Sequence, residues 1–234
     1  MDYLVQSVPS KSGLASPERY REGVVEEPLT ERGRRSRERI VDAAAALVAE
    51  RGAGGARLDQ ILEAAGASKS QLYHYFSDKE DLVRAVIARR VGETVHCQGP
   101  QLDKVDSLAA LRGWFDWLVD QNAERDCPGC PLGTLASELA DCDEAARGDL
   151  TCGFDTWIGY VIEGIERMKV SGELDERADP RRLGVAVFAS LQGGLLLSKT
   201  YKDPQYLRDA LDATYDHFLS LRAHHPGAPK RPPG

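Results

Sequence analysis

The 234-residue sequence has no apolar run of about 18 residues, the length that a membrane-spanning helix needs. Its first residues, MDYLVQSVPSKSG, lack the basic start and the apolar stretch of a secretion signal. Proline and glycine are sparse outside the two ends, which argues against a disordered chain, and a hydrophobic content of 42% is enough for a packed core. These features predict a cytoplasmic protein without a membrane partner.

Segments with strand-length alternation of apolar and polar residues are also missing, whereas apolar residues recur at helical spacing from Ile40 to Leu219. The predicted fold is all-α with about nine helices: an N-terminal three-helix helix-turn-helix domain followed by a C-terminal helical bundle. We expect four segments: a flexible arm (1–33), the helix-turn-helix domain (34–82), an effector-binding and dimerisation domain (83–222) and a disordered tail (223–234).

The net charge of -7 is unevenly distributed. Residues 30–90 contain twelve Lys and Arg against nine Asp and Glu, whereas the remainder contains 18 against 28. A basic front end on an acidic body is typical of a DNA-binding module attached to a second domain, although solvated surfaces alone produce differences of this size.

The sharpest motif is RLDQILEAAGASKSQLYHYFSDK, residues 57–79. A two-turn helix meets Gly66, which can adopt the left-handed conformation of a tight turn, and Ser68 can cap the next helix. This spacing predicts a helix-turn-helix whose second helix enters the major groove of DNA. The alternative is a helical hairpin with a solvated face.

The second helix divides into an inner edge, Leu72 and Phe76, and an outer polar face. We expect Lys69 to donate to guanine or phosphate and Gln71 to bond adenine. The full set of predicted DNA contacts is Arg57, Lys69, Ser70, Gln71, Tyr73, His74, Tyr75 and Lys79.

The run AAGASKSQLYHYFSDKEDL, residues 64–82, resembles the signature of the TetR family of repressors, and the likeness extends from Arg37 to Arg90. The resemblance implies an architecture of nine or more helices. It also implies that positions 69, 70, 71, 73 and 75 touch bases or phosphates and that position 79 touches phosphate. Arg57 replaces a threonine common in the family and is expected to contact phosphate instead, while Leu62 replaces an interior alanine.

Five cysteines occur in the chain: Cys97, Cys127, Cys130, Cys142 and Cys152. In a reducing cytoplasm they remain thiols, which leaves small buried residues, metal ligands or redox sensors. Cys127 and Cys130 form a CxxC unit, which is half of a zinc site and has no second paired motif, so we predict no metal and no cofactor. A thioredoxin-like enzyme would need a strand at this point, and the sequence carries neither a Ser/His/Asp order nor a Gly-rich phosphate loop; we predict that the protein is not an enzyme.

The segment GCPLGTLASELADCD, residues 129–143, resembles the electrophile-responsive branch of the family that contains the N-ethylmaleimide-reductase repressor. That resemblance implies that Cys130 is the sensor. A thiol just ahead of a helix N-terminus has a stabilised thiolate, and a sulfenic acid formed there could be resolved by Cys127 or another thiol such as Cys142. The alternative is that these cysteines are small, buried and inert.

Aromatic residues concentrate in the C-terminal part, where helical bundles place ligand pockets. The candidate effector residues there are Trp114, Trp117, Trp157 and Gln192, with plain core packing as the alternative for the aromatic ones. The last two helices, starting at Pro180 and Pro204, are expected by family resemblance to form a homodimer, with Ala189, Gly193 and Gly194 permitting close helix contact.

Taken together, the sequence predicts a homodimeric transcription repressor that binds a palindromic operator in double-stranded DNA. A small apolar or electrophilic effector, or modification of a cysteine, would release it. Two alternatives stay open: a repressor that binds a small molecule while its cysteines are passive, and a helical thiol-dependent enzyme.

Overall fold

The computed structural model describes residues 29–124 and 129–223, apart from the side chains of residues 95 and 96. That part of the chain contains nine α-helices and no β-strand, which confirms the all-α prediction. The helices are α1 (Glu31–Gly55), α2 (Leu58–Ala65), α3 (Lys69–Tyr75), α4 (Lys79–Leu102), α5 (Leu108–Ala123), α6 (Pro131–Leu139), α7 (Glu144–Val170), α8 (Pro180–Tyr201) and α9 (Gln205–Ser220).

The described residues form two compact units. The first contains residues 29–97 and 131–159, and the second contains residues 98–124, 129–130 and 160–223. The first unit thus groups α6 and the beginning of α7 with the N-terminal helices. The boundary expected between residues 82 and 83 stays a prediction.

Helix α1 begins at Glu31, inside the range 1–33 that the sequence analysis assigns to a flexible arm. The side chain of Thr30 accepts a hydrogen bond from the backbone N–H of Gly33 at 3.2 Å, which caps the helix, and Glu31 pairs with Arg34 and Arg35 one turn later. Residues 1–28 of that arm lie outside the described residues, as do residues 224–234 of the tail.

The first unit packs its helices around the apolar edge of α1. Ile40 and Ala44 are buried in α1, and Leu82 is fully buried on α4. Two ion pairs link α4 to other helices of the unit: Arg89 bonds Asp42 of α1, and Arg84 Nε donates to Asp149 Oδ2 of α7 at 2.8 Å. These contacts fix α4 against α1 and the start of α7.

In the second unit, α8 and α9 pack closely along their lengths. Gly194 is buried, and a Cβ placed on it would lie 2.8 Å from Leu207 Cδ1 and 3.0 Å from Leu207 Cα, so glycine is what permits this approach. The predicted role of Gly194 in close helix contact therefore applies within the chain. Gly193 and Ala189 are exposed on the same helix.

Helix α8 is long and apolar enough, by length and composition alone, to meet the criteria for a membrane span. The core helix of a globular domain meets the same criteria, and Leu183, Val187 and Leu191 of α8 are buried.

Candidate nucleic-acid interface

The turn between α2 and α3 is built on Gly66. Its backbone is left-handed, with φ 58° and ψ 39°, and its N–H donates to the carbonyls of Leu62 and Glu63 to end α2. The N–H of Ala67 also donates to the Leu62 carbonyl, at 3.0 Å. A side chain at position 66 would meet no atom within 4 Å, so the backbone conformation rather than crowding requires glycine.

The start of α3 is fixed by a reciprocal cap. The Ser68 hydroxyl accepts a hydrogen bond from Gln71 N–H at 3.2 Å, and the Gln71 side-chain oxygen accepts one from Ser68 N–H at 2.9 Å. The cap predicted at Ser68 is therefore present. Sequence reasoning assigned Gln71 to a bidentate contact with adenine, but in this structure its oxygen belongs to the cap, so the amide Nε2 is its outward donor.

One edge of α3 anchors the helix in the first unit. Leu72 is 0% exposed and Phe76 is 2% exposed, as their four-residue spacing predicts. The guanidinium carbon of Arg37 lies 5.1 Å from the centroid of the Phe76 ring, in cation–π geometry. This contact ties α1 to the end of α3.

The rest of α3 is polar and open to solvent. Lys69, Ser70, Gln71 and His74 are exposed, and Tyr73 is 57% exposed. Tyr75 is half-buried, and its ring meets that of His74 edge-on with centroids 4.8 Å apart. Six of the predicted DNA contacts thus lie on one seven-residue helix.

The other two predicted contacts flank this helix. Arg57 precedes α2, and its guanidinium pairs with Asp59 at 3.1 Å; that hydrogen bond lowers the pKa of Asp59. Lys79 opens α4, and its Nζ donates to the carbonyl of Gly54 at 3.4 Å. The Asp78 side chain caps the same turn by accepting from Asp81 N–H at 2.7 Å.

The first turns of α1 are a basic segment that the sequence analysis did not single out. They hold Arg32, Arg34, Arg35, Arg37 and Arg39 within eight residues. Hydrogen bonds from Arg34 and Arg35 lower the pKa of Glu31. The high density of arginine could have indicated this segment, but the predicted end of the arm at residue 33 split the arginines between two segments. The contact of Arg37 with Phe76 could not be predicted from neighbouring residues.

A second cluster, in the second unit, surrounds Cys130. The half-buried Cys130 directly precedes α6, and its Sγ accepts a hydrogen bond from Gln192 Nε2 at 3.5 Å. The Asn122 side chain, 4% exposed, donates to Ser198 Oγ and accepts from Gly129 N–H, both at 3.0 Å. Cys130 and Gln192, which the sequence predicts for separate reasons, are therefore in contact. The buried side chain of Asn122 holds Gly129, the residue before Cys130.

Of the remaining candidate effector residues, those that the structure describes lie on α5, on α7 and just beyond α6. Cys127 lies outside the described residues. Cys142 is exposed and follows α6, and its Sγ donates a hydrogen bond to the backbone carbonyl oxygen of Glu138 at 3.3 Å. Trp114 is buried on α5, with its Nε1 donating to Gln98 Oε1 at 3.3 Å, and Trp117 on the same helix is half-buried.

Trp157 is also buried, but on the part of α7 that belongs to the first unit. Burial of this kind is typical of core packing. A ligand cavity beside any of these tryptophans stays a prediction.

A short helix with a buried edge and a polar outer face, joined to a preceding helix by a glycine turn, defines a helix-turn-helix transcription regulator. Comparison with known proteins agrees: residues 40–86 match the bacterial regulatory proteins of the tetR family, and residues 107–213 match the C-terminal domain of LmrA/YxaF-like transcriptional regulators. The chain belongs to the TetR family.

Two relatives and one solved structure illustrate the likeness. An HTH-type regulator encoded in the lacX 3' region of Lactococcus lactis is 30% identical over 188 residues, covering 79% of this chain and 94% of that protein. The HTH-type transcriptional repressor DhaR of Mycobacterium sp. (strain GP1) is 24% identical over 189 residues, or 78% and 92% of the two chains. The reduced form of E. coli NemR superposes with a TM-score of 0.71 at 21% identity, covering 82% of this chain and 99% of that one, which shows a shared fold.

Proposed function

We propose that this TetR family member is a repressor that binds a palindromic operator as a homodimer through α3. The observation that carries the proposal is the polar outer face of α3 on a helix that Leu72 and Phe76 anchor in the core. Repression is supported by the similarity to DhaR, which is a transcriptional repressor. Since operator DNA lies in the bacterial cytoplasm, we place the protein there.

The side chains of this surface take separate roles. Lys69 donates a hydrogen bond to guanine or to phosphate. Gln71 donates one from Nε2 to an acceptor atom of a base, while its Oε1 continues to accept from Ser68 N–H. Ser70, Tyr73, His74 and Tyr75 hydrogen-bond phosphate oxygens or base edges. Arg57 and Lys79 neutralise phosphates on either side, for which each must exchange its present partner, Asp59 or the Gly54 carbonyl.

The homodimer is proposed to form through α8 and α9. Val185, Leu196 and Leu197 of α8 and Leu219 of α9 are large apolar side chains that stay exposed in the single chain. Burying them against a second copy removes that surface from water. A two-fold axis would then set the two copies of α3 about one DNA turn apart, roughly 34–36 Å, to read a palindrome.

Release is proposed to begin at Cys130. A peroxide oxidises its thiol to sulfenic acid, with the second peroxide oxygen leaving as water. Cys130 lies directly ahead of α6, and Gln192 Nε2 donates a hydrogen bond to its Sγ at 3.5 Å. The reaction adds an oxygen atom to the group that Gln192 contacts, and it drives release only if the oxidised protein binds DNA less tightly than the reduced one.

Selection from a randomised duplex library tests the DNA-binding part. We expect the purified protein to enrich an inverted repeat and to bind it as a dimer. Failure to enrich any sequence, at low as well as moderate salt, would contradict operator binding.

The release mechanism is tested by titrating the selected duplex with protein treated with mild hydrogen peroxide. Wild type should lose affinity, Cys130→Ser should keep it, and Cys142→Ser should behave as wild type for the initial oxidation. If Cys130→Ser loses affinity as wild type does, Cys130 is not the sensor. If peroxide leaves the affinity of wild type unchanged, the cysteines are passive, and the alternative repressor that binds a small molecule reversibly replaces this part of the proposal.

A further inference from the structure

The last four residues of α1, 52–55 (Gly-Ala-Gly-Gly), follow a bend in the helix and are here called the elbow. Gly52 breaks the helical path with φ 75° and ψ 168°, a conformation essentially restricted to glycine. A Cβ on Gly52 would lie 2.9 Å from Glu138 Oε2. The missing side chain therefore opens the elbow to a carboxylate from α6.

Glu138 uses both of its oxygens on the elbow. The N–H of Ala53 donates to Oε2 at 2.8 Å, and the N–H of Gly54 donates to Oε1 at 2.6 Å. Hydrogen bonds from two successive backbone amides to one ionised carboxylate are charge-assisted, and the pair fixes the direction of both groups. The two contacts span more than 80 residues of sequence, so they join α6 to the end of α1 directly.

The elbow is also bound to the elements that carry the DNA-binding surface. Its Gly54 carbonyl accepts from Lys79 Nζ at the start of α4, and its Gly52 carbonyl accepts from the N–H of Ala56 at 3.1 Å, just before α2. The recognition helix α3 lies between α2 and α4 in the chain. A shift of the elbow therefore reaches α2 directly, and it reaches α4 only while Lys79 bonds the Gly54 carbonyl rather than a phosphate.

We infer that Glu138 is a positioning residue for DNA binding: its carboxylate holds the elbow, and the elbow sets where α2 and α3 lie. Withdrawal of α6 removes the carboxylate and loosens the recognition helix. The part that concerns DNA rests on the proposed function.

Glu138→Gln tests the inference with little change of shape. The glutamine keeps one acceptor oxygen but turns an NH₂ donor toward the second backbone N–H. Hydrogen–deuterium exchange resolved to single amides should show the Ala53 and Gly54 amides exchanging about tenfold faster, the equivalent of one charge-assisted hydrogen bond. The Gly33 amide, capped by Thr30 in the same unit, should be unchanged.

Affinity for the library-selected duplex, measured at a temperature where the variant is fully folded, should fall by about tenfold in Glu138→Gln. Glu144→Gln is the matched control, since it removes an exposed carboxylate that pairs with Arg147 in the same unit. It should alter neither the exchange of Ala53 and Gly54 nor the affinity. A tenfold loss of affinity in protein that is still fully folded is the result that a merely structural role would not give.

Unchanged exchange at Ala53 and Gly54 in Glu138→Gln overturns the contact itself. Faster exchange with unaltered DNA affinity overturns the positioning role. If the wild type enriches no duplex while the exchange results hold, the proposed function fails and the Glu138 contact stands. Should Glu138→Gln not fold, Gly54→Ala decides the same questions, because its Cβ would lie 3.3 Å from Glu138 Oε1 and presses on the contact from the other side.

Discussion

Ser68 and Gln71 hold each other at the start of α3, with the hydroxyl of one and the amide oxygen of the other each accepting the partner's backbone N–H. The helix has seven residues, too few for a stable helix in isolation. Its order therefore depends on this cap and on the buried Leu72.

We predict that Ser68→Ala lowers the free energy of unfolding by about 1 kcal/mol, the usual cost of removing an N-cap hydroxyl. Urea denaturation measures the difference. Ser70→Ala is the control: it lies two residues on, exposed, where alanine is the better helix former, so stability should stay equal or rise slightly. Equal losses in the two variants would mean that the hydroxyl at position 68 has no special role.

The contact between Gly194 and Leu207 gives a second prediction. Gly194→Ala places a methyl group 2.8 Å from Leu207 Cδ1 and 3.0 Å from its Cα, so α8 and α9 must separate, at a cost of about 1 to 3 kcal/mol. Gly148→Ala, on α7 with nothing within 4 Å of the added carbon, should instead gain about 0.5 to 1 kcal/mol. Thermal denaturation of both variants decides, and a stabilised Gly194→Ala would refute the close packing.

Asp116 gives a pH-dependent prediction in the second unit. Burial works to raise the pKa of Asp116, but hydrogen bonds from Arg112 and Arg208 outweigh it and lower the pKa below its usual range. A carboxyl whose pKa is lower in the folded than in the unfolded state stabilises the protein above the unfolded value, about pH 4, and loses that contribution as the pH falls through the folded value.

Asp116→Asn should therefore be less stable than wild type at pH 7, and this deficit should shrink as the pH is lowered below about 4. Melting temperatures across that range measure it. Asp106→Asn, the same substitution at an exposed position before α5, is the control for the loss of one carboxylate. A deficit for Asp116→Asn that is independent of pH would contradict the role of the two arginines.

The sequence predicted those features whose cause lies within a few residues. Gly66 and Ser68 act on the backbone beside them, and the four-residue spacing of Leu72 and Phe76 defines one face of a helix, so turn, cap and anchor could be read directly.

Contacts between distant residues could not be read in this way. In the sequence, nothing distinguishes Glu138 from other glutamates on helices, and its role depends on the contact between α6 and the elbow. The role of Arg37 likewise depends on its contact with the distant Phe76. Gln192 and Cys130 were each singled out for local reasons, yet their contact depends on how the chain returns over 62 residues. The capping role of the Gln71 oxygen could have been predicted from the Ser-x-x-Gln spacing of residues 68–71. The sequence analysis instead assigned Gln71 to a contact with a base.

The central claim is that the outer face of α3 binds DNA, and affinity measurements on Lys69→Ala and Tyr73→Ala test it most directly. Tyr73→Phe isolates the hydroxyl, and Lys104→Ala, an exposed lysine outside the helix-turn-helix, is the control. The variants should remain folded and keep the oligomeric state of wild type. We expect Lys69→Ala and Tyr73→Ala each to weaken binding to the selected duplex by about 1 to 3 kcal/mol. Where the lost contact is to a phosphate, the affinity should also depend less steeply on salt concentration. Lys104→Ala should bind as wild type does. If both α3 variants hold that duplex as tightly as the parent protein at every salt concentration, α3 is not the DNA-binding helix.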